Sequence, residues 1–243
     1  MAAKCGFKAV ECQRPYDMPP AELRDRLADA GVEMVLINTP PSPRTPDENG
    51  LAIFPDRIQE FREVCNRAIG YAAAAGVPRL HVVAGRSADA VAMDVATATF
   101  IDNIRWAGDR GREQGVRILI EPLNGADNPG YFLTTAQQGA DILAAAEHDN
   151  LFLQYDLYHA GVNGEDIPEG AKRHLGVIDH IQMAGVPGRH EPDTGAIDIL
   201  GAFAAIEALG YTGWIGAEYR PAGTTLEGLG WGAPYGIQAP DAP

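Results

Sequence analysis

The chain has 243 residues, of which 46% are hydrophobic, and its formal net charge at pH 7 is −14. This length suits a single α/β barrel with a large core. We expect one domain over residues 1–232 and a loosely ordered tail over residues 233–243. The negative charge repels nucleic-acid phosphates, and no basic stripe offsets it, so we expect no nucleic-acid partner.

The sequence also lacks the patterns of exported and membrane proteins. No apolar run approaches the roughly 18 residues that a membrane span needs, and the N-terminus has no signal-peptide pattern. Cys5, Cys12 and Cys65 have no zinc-type spacing, so we interpret them as reduced thiols that pack in the core rather than as a catalytic thiol. We therefore expect a soluble, cytoplasmic protein without a membrane partner.

Hydrophobic patterning predicts alternating strands and helices from the start of the chain. Residues 2–6 resemble the last turn of a helix, and a short strand follows at 8–11. Later helices are predicted at 21–30, 57–75, 90–114, 136–147 and 200–209, and a segment with a weaker pattern lies at 169–175. Residues 40–55 form a loop rich in Pro, Gly and Asp, which is long enough to suggest a functional lid.

Three helix–glycine–strand joints, at Gly31, Gly76 and Gly115, are typical of βα units and a parallel sheet. The predicted strands number seven, at 8–11, 32–38, 79–84, 117–121, 151–156, 178–183 and 214–219. A TIM (β/α)₈-type barrel needs eight strands, and its functional groups lie at the carboxyl ends of those strands. We therefore predict such a barrel with the first βα unit largely missing.

Four successive strands each end in an oxygen-bearing side chain. These residues are Glu121, Asp156, Gln182 and Glu218, separated by 35, 26 and 36 residues, which is the length of a strand with its returning helix. Any one of them alone is better explained as a loop cap or a rim salt bridge. Together they predict a site for a hard divalent cation, and three carboxylates with one amide suit Mg²⁺ or Mn²⁺ better than zinc.

The sequence gives less support for a functional role of the other polar residues near this rim. His81 and His159 face the barrel interior, where a histidine is as often a core polar group as a ligand. Arg189 belongs to a glycine-rich loop beside the predicted site, where an arginine is commonly a solvated charge, although a carboxylated substrate would need such a guanidinium. We interpret His180 as structural. Lower-ranked rim candidates are Glu11, Tyr16 and Asn38.

Several motifs along nearly the whole chain resemble the hydroxypyruvate isomerase family, which belongs to the xylose-isomerase-like TIM barrels. They are Glu121-Pro-Leu-Asn, Pro129-Gly-Tyr-Phe, Asp156-Leu-Tyr-His, His180-Ile-Gln, Glu218-Tyr-Arg-Pro and, most specific, the loop 185–193 with sequence GVPGRHEPD. The resemblance implies that Glu121, Asp156, Gln182 and Glu218 bind the metal. It also implies that Glu121 and Glu218 form the acid/base pair and that His81, His159 and Arg189 contact the substrate.

The activity implied by the resemblance is the interconversion of hydroxypyruvate and 2-hydroxy-3-oxopropanoate (tartronate semialdehyde) through an enediolate. Metal-assisted proton transfer between two carboxylates fits that reaction. Within the family, isomerisation of 2-dehydrotetronate, a four-carbon 2-oxo acid, is the alternative. Two other classes stay open: a metal-dependent phosphodiesterase of the endonuclease IV type, and a non-catalytic binding protein built on a broken barrel.

The chain departs from the family at its start. Family members carry a first strand and most of a first helix before the segment that matches residues 2–6, so either this sequence is truncated or the barrel closes in another way. We expect a gap between the strand at 8–11 and the strand at 214–219. Two unpaired edges would lower stability and allow copies of the chain to associate as a homo-oligomer.

Overall fold

A computed structural model of the chain describes residues 1–42, 49–86 and 91–240. Part of the predicted lid at 40–55 therefore lies outside the described residues. Seven parallel strands form one sheet in which each strand pairs with its neighbours in sequence. They are β1 (Ala9–Cys12), β2 (Glu33–Asn38), β3 (Arg79–His81), β4 (Arg117–Ile120), β5 (Leu151–Asp156), β6 (Ile178–Met183) and β7 (Ile215–Ala217). The predicted α/β barrel with seven visible strands is confirmed, and these strands form a nearly closed barrel.

Helices between the strands complete the βα units. They are α1 (Pro20–Ala30), α2 (Ile58–Ala75), α3 (Met93–Glu113), α4 (Ala136–Ala146), α5 (Leu157–Val162), α6 (Ile167–His174) and α7 (Ile199–Ala208), and short 3₁₀ helices span Ala2–Cys5, Pro55–Arg57 and Glu227–Tyr235. The predicted joints hold at Gly31 and Gly76, whose φ angles of 65° and 75° end α1 and α2 in the left-handed conformation that glycine adopts without strain.

The structure differs from the sequence prediction in some element bounds. β3 ends at His81 instead of residue 84, and the bridges that the described residues form beyond it, such as Gly50 to Ala84, are isolated. Helix α5 is absent from the sequence prediction; it begins directly after β5, where the Asp156 side chain accepts a hydrogen bond from Tyr158 N and caps the helix. Helix α5 is too short to show a recognisable apolar period, so patterning does not find it.

A cluster of charges joins three strands at the amino end of the barrel. Arg79 on β3 donates to Asp179 on β6 at 2.7 Å, and Arg117 on β4 donates to the other carboxylate oxygen at 2.6 Å. Arg79 is buried, so it needs this partner in a poorly solvated place. The cluster joins the amino ends of β3, β4 and β6. The candidate site lies at the opposite, carboxyl ends of the strands.

No backbone ladder joins β1 to β7 in the part of the chain that the structure describes. Side chains bridge these two edges instead. Glu11 on β1 accepts hydrogen bonds from His180 Nε2 at 2.5 Å and from Gln182 Nε2 at 2.6 Å, and Gln13 donates to Glu218. Gly216 on β7 leaves room for this arrangement, because a Cβ there would collide with the Glu11 carboxylate. The expected gap is thus confirmed as missing strand pairing, and polar side chains cross it.

The C-terminal segment returns to the first residues of the chain. The 3₁₀ helix Glu227–Tyr235 crosses the predicted domain boundary, and Gln238 N donates to Cys5 O at 3.0 Å. The division into a domain over 1–232 and a tail over 233–243 stays a prediction. Among the described helices, none combines the length and the apolar character that spanning a membrane requires.

Replacing Gly216 by alanine tests the side-chain bridge across the gap. The added methyl group would displace the Glu11 carboxylate and leave His180 and Gln182 without their acceptor. We expect a loss of about 1–3 kcal/mol in the free energy of unfolding, measured by urea denaturation.

Gly70→Ala is the matched control, because Gly70 lies within α2 and no neighbouring atom is within 4 Å of the place that an added methyl group would occupy. Alanine is the better helix former, so this change should leave stability equal or higher. Equal stability of the Gly216→Ala and wild-type proteins would show that Glu11 does not hold the two edges together.

Candidate active site

A cavity of about 190 Å³ opens at the carboxyl ends of the strands. Six of the seven residues predicted for the site line it: His81, Glu121, His159, Gln182, Arg189 and Glu218. The seventh, Asp156, is buried beside it and lines a small adjoining pocket with His159. Parallel strands end at one edge, so residues that are far apart in sequence meet there.

The most tightly grouped candidates for metal binding are Glu121, Asp156 and His159. One ligand atom from each lies within 4.8 Å of the others, and all three side chains are buried. Asp156 and Glu218 also share a partner, because Arg189 Nη2 donates to both, at 3.2 Å and 3.0 Å. Three of the four predicted ligands therefore surround one region of the cavity.

Arg189 is held by several protein groups. Besides its two carboxylate contacts, Nε donates to the Glu218 carbonyl oxygen at 3.2 Å, and the guanidinium lies over the Tyr158 ring at 4.9 Å from its centroid. The residue has a φ of 57°, which is uncommon for a side chain other than glycine. This turn of the loop directs the guanidinium into the cavity. Within the part of the chain that the structure describes, Nη1 has no carboxylate or carbonyl acceptor.

His159 has a defined tautomer because its Nδ1 accepts a hydrogen bond from Asn124 N at 3.1 Å. Burial, followed by the charge of Arg189, lowers the pKa of His159 to about 3, so the ring is neutral and its proton is on Nε2. That Nε2–H lies 3.4 Å from Arg189 Nη1, another donor. Two donors side by side can bind one substrate oxygen, which favours a substrate contact over a metal ligand for His159.

His81 lies against Glu121, with Nδ1 3.2 Å from Glu121 Oε2. Burial, then the neighbouring His159, lowers the pKa of His81 to about 3. Within the described residues, His81 Nε2 and Glu121 Oε1 are buried without a hydrogen-bond partner. Buried polar atoms are costly to leave unpaired, so these two atoms are available for a bound ligand.

Gln182 belongs to a network that the sequence pattern only partly identifies. Its oxygen accepts from Gln154 Nε2 at 2.5 Å, and its Nε2 donates to Glu11. Glu11 is a lower-ranked rim candidate, and Gln154 is not among the candidates at all. A signal for Gln154 does exist: it lies two residues before Asp156 in an otherwise apolar strand and so occupies the same face. Gln13 gives no such signal, because it follows the end of β1.

The carboxyl groups of the site have raised pKa values. Burial is the main cause for Glu121, and the charges of Glu218 and Asp156 add to it. Burial also raises the pKa of Asp156 and of Glu218, and the nearby Arg189 opposes both shifts. Burial disfavours the charge on Arg189, but Asp156 and Glu218 outweigh it and raise the Arg189 pKa above its ordinary value. A further cation would relieve the repulsion among these carboxylates.

The donor set suits a divalent metal ion. Carboxylate and amide oxygens are typical ligands of Mg²⁺ and Mn²⁺, and Glu121 Oε1 is buried without a partner. Glu121, Asp156, Gln182 and Glu218 would hold such an ion, as the sequence pattern suggests. The assignment of these four ligands, and of His81, His159 and Arg189 as substrate contacts, stays a proposal.

Asp156→Asn tests the metal site. Asparagine can still cap α5 but loses the negative charge, so the fold should persist while Mn²⁺ affinity falls on the order of 100-fold, measured by calorimetry on chelator-treated protein. The control is Glu113→Gln at the exposed end of α3, where the carboxylate pairs with Arg110. Equal affinity of the Asp156→Asn and Glu113→Gln proteins would remove Asp156 from the ligand set.

Metal affinity should also depend on pH. The structure raises the pKa of Asp156 to about 6 and that of Glu218 to about 7 in the metal-free protein, so both bind protons that a metal must displace. Mn²⁺ affinity should therefore rise as the pH increases from 5 to 8, with proton release that is detectable in buffers of different ionisation enthalpy. An affinity that is constant over this range would contradict the shifts.

The family comparison agrees with this architecture. A family described as xylose isomerase-like TIM barrel matches residues 1–235. The chain is 42% identical over 234 residues to a protein named 2-oxo-tetronate isomerase from Cupriavidus necator, covering 96% of this chain and 90% of that relative. It is 36% identical to the hydroxypyruvate isomerase of Escherichia coli, covering 96% and 91% of the two chains.

Solved structures give the same result. A crystal structure described as an AP endonuclease of family 2 from Brucella melitensis superposes with a TM-score of 0.93 at 36% identity, covering 96% of this chain and 90% of that chain. A D-psicose 3-epimerase from Clostridium cellulolyticum, at 20% identity and a TM-score of 0.77 over 91% of this chain and 78% of its own, shares the fold. The chain belongs to the xylose isomerase-like TIM barrel family.

Proposed function

We propose that this protein is an isomerase of small 2-oxo acids that interconverts hydroxypyruvate and 2-hydroxy-3-oxopropanoate. The observation that carries the proposal is that two carboxyl groups with raised pKa values, Glu121 and Glu218, line one small cavity. A raised pKa places a carboxyl group nearer the operating pH, where it can both accept and donate a proton.

The reaction moves a carbonyl by one carbon. A carboxylate removes a proton from C3 of hydroxypyruvate, and the electrons form an enediolate over C2 and C3. A carboxylic acid then returns a proton to C2, while the C3 hydroxyl loses its proton and the C2 oxygen gains one, which leaves an aldehyde at C3 and a hydroxyl at C2. Glu121 and Glu218 are the acid/base pair in this scheme. Arg189 Nη1 and His159 Nε2–H are adjacent donors that can bind a substrate oxygen and hold the substrate in place.

A bound divalent ion would supply electrostatic stabilisation of the negative charge that develops on the enediolate oxygens. Side chains of the protein would transfer the protons and hold the substrate. His81, neutral and buried against Glu121, offers Nε2 to the substrate, and the buried surroundings limit competing reactions with water.

The four-carbon acid 2-dehydrotetronate is the alternative substrate. The Cupriavidus necator relative is named a 2-oxo-tetronate isomerase, and both acids share the reacting carbons. A cavity of about 190 Å³ is well below the volume of a site for drug-sized ligands, which supports a substrate of three or four carbons. Comparing kcat/KM for the two acids separates these candidates.

A phosphodiesterase that cleaves DNA is the second candidate class, favoured by the description of the Brucella melitensis structure. Against it stands the net charge of −14, which repels a phosphate backbone. Cleavage of a duplex containing an abasic site, with no isomerisation of either acid, would reverse our preference. The third class, a non-catalytic binding protein, predicts no turnover of either substrate type.

Proton transfer can be tested by isomerisation in D₂O. With two carboxylates that exchange with solvent, product formed from hydroxypyruvate should carry a solvent deuteron at C2, measured by NMR. Glu218→Gln should lower kcat by a factor of roughly 100 or more, because glutamine neither accepts nor donates the proton.

Glu113→Gln again serves as the control and should match the wild-type rate. Product that contains no deuterium would contradict two exchanging carboxylates and would indicate direct transfer of the substrate hydrogen, by a hydride shift or by one base shielded from solvent. Wild-type turnover by the Glu218→Gln protein would remove Glu218 from the mechanism.

A further inference from the structure

The carboxylate of a 2-oxo acid needs a cationic partner. Most N–H donors of Arg189 are already used by other groups of the protein. Its Nη2 donates to Asp156 and Glu218, and its Nε donates to a carbonyl oxygen. A bidentate contact with a substrate carboxylate requires two parallel N–H donors from one guanidinium. With Nε and Nη2 engaged, Arg189 can offer Nη1 alone.

Arg14 is a second arginine in the cavity lining. It follows β1 by two residues, at the carboxyl end of the barrel, and its side chain is exposed. Over residues 1–42, 49–86 and 91–240, no hydrogen bond or ion pair involves its guanidinium. The side chain is therefore free to meet a ligand that enters the cavity.

The backbone on either side of Arg14 is anchored. Gln13 O accepts from Asn38 N at 3.2 Å, and Pro15 O accepts from the Tyr71 hydroxyl at 2.8 Å. The Gln13 side chain also donates to Glu218. These contacts fix the position from which Arg14 extends, so the ordering cost of binding is mainly that of one side chain.

Charge in the cavity favours one orientation of a 2-oxo acid. Glu121 and Glu218 line the cavity and Asp156 lies beside it, so a substrate carboxylate next to them is repelled. Arg14, on the exposed rim, attracts it. The reacting carbons would then lie toward the carboxylates of the site and the substrate carboxylate toward the rim.

We propose that Arg14 is a specificity-determining residue that binds the carboxylate of the 2-oxo acid at the cavity rim. The inference rests on the proposed function, since it names the group that selects acids over neutral ketoses in the same cavity. It predicts an effect on substrate binding that depends on the charge of the ligand, with little effect on the chemical step.

The test compares pyruvate with hydroxyacetone, a matched pair in which a hydroxymethyl group replaces the carboxylate. Dissociation constants are measured by calorimetry for wild type, Arg14→Met, Arg14→Lys and the control Arg24→Met. Arg24 is exposed on α1 and contacts the adjacent Asp25. Pyruvate binding should weaken roughly ten-fold in Arg14→Met and less in Arg14→Lys, while hydroxyacetone binding stays unchanged in every variant.

Kinetics supply the second readout. In Arg14→Met, KM for hydroxypyruvate should rise roughly ten-fold and kcat should stay within two-fold of wild type. Unchanged pyruvate affinity in Arg14→Met, an equal loss for both ligands, or wild-type protein that does not bind pyruvate would each overturn the role of Arg14. Failure of the proposed function is a different result: wild-type protein that isomerises no 2-oxo acid.

Discussion

The site depends on keeping several carboxyl groups together in a poorly solvated cavity. Glu121, Asp156 and Glu218 repel one another, and burial raises the pKa of each. Arg189 offsets part of this cost through its contacts with Asp156 and Glu218. Positive charge or protonation relieves this repulsion, and the raised pKa values fit the proton transfer that we propose for Glu121 and Glu218.

The same residues contribute to barrel closure. Among the described residues β1 and β7 share no backbone ladder, and the side chains of Glu11 and Gln13 reach His180, Gln182 and Glu218 there. Side chains near the site therefore replace part of the hydrogen bonding that a neighbouring strand supplies in a closed barrel. The side chains that bridge these edges also contact residues of the site, so a change at Glu11 or Gln13 should affect both stability and site geometry.

Much of the fold and the location of the site follow from the sequence, because glycine stops and apolar runs mark the βα units and strand ends mark the site. Glu121, Gln182 and Glu218 are identifiable from position alone, and all three line the cavity. The contacts of Gln154 and Gln13 are not identifiable in this way, although its spacing from Asp156 places Gln154 on the same face of β5. Those contacts depend on register and on which edges of the barrel meet, which a pattern within a single strand does not encode.

The members of the charge cluster at the amino end of the barrel should differ in how well they tolerate substitution. Asp179 is the shared acceptor of Arg79 and Arg117, whose side chains are 8% and 39% exposed. Loss of Arg117 leaves a neutral pair, whereas loss of Asp179 leaves two like charges facing each other, one of them buried. Substitutions should therefore be tolerated more readily at position 117 than at position 179. The amino ends of β3, β4 and β6 thus depend on a single residue, Asp179.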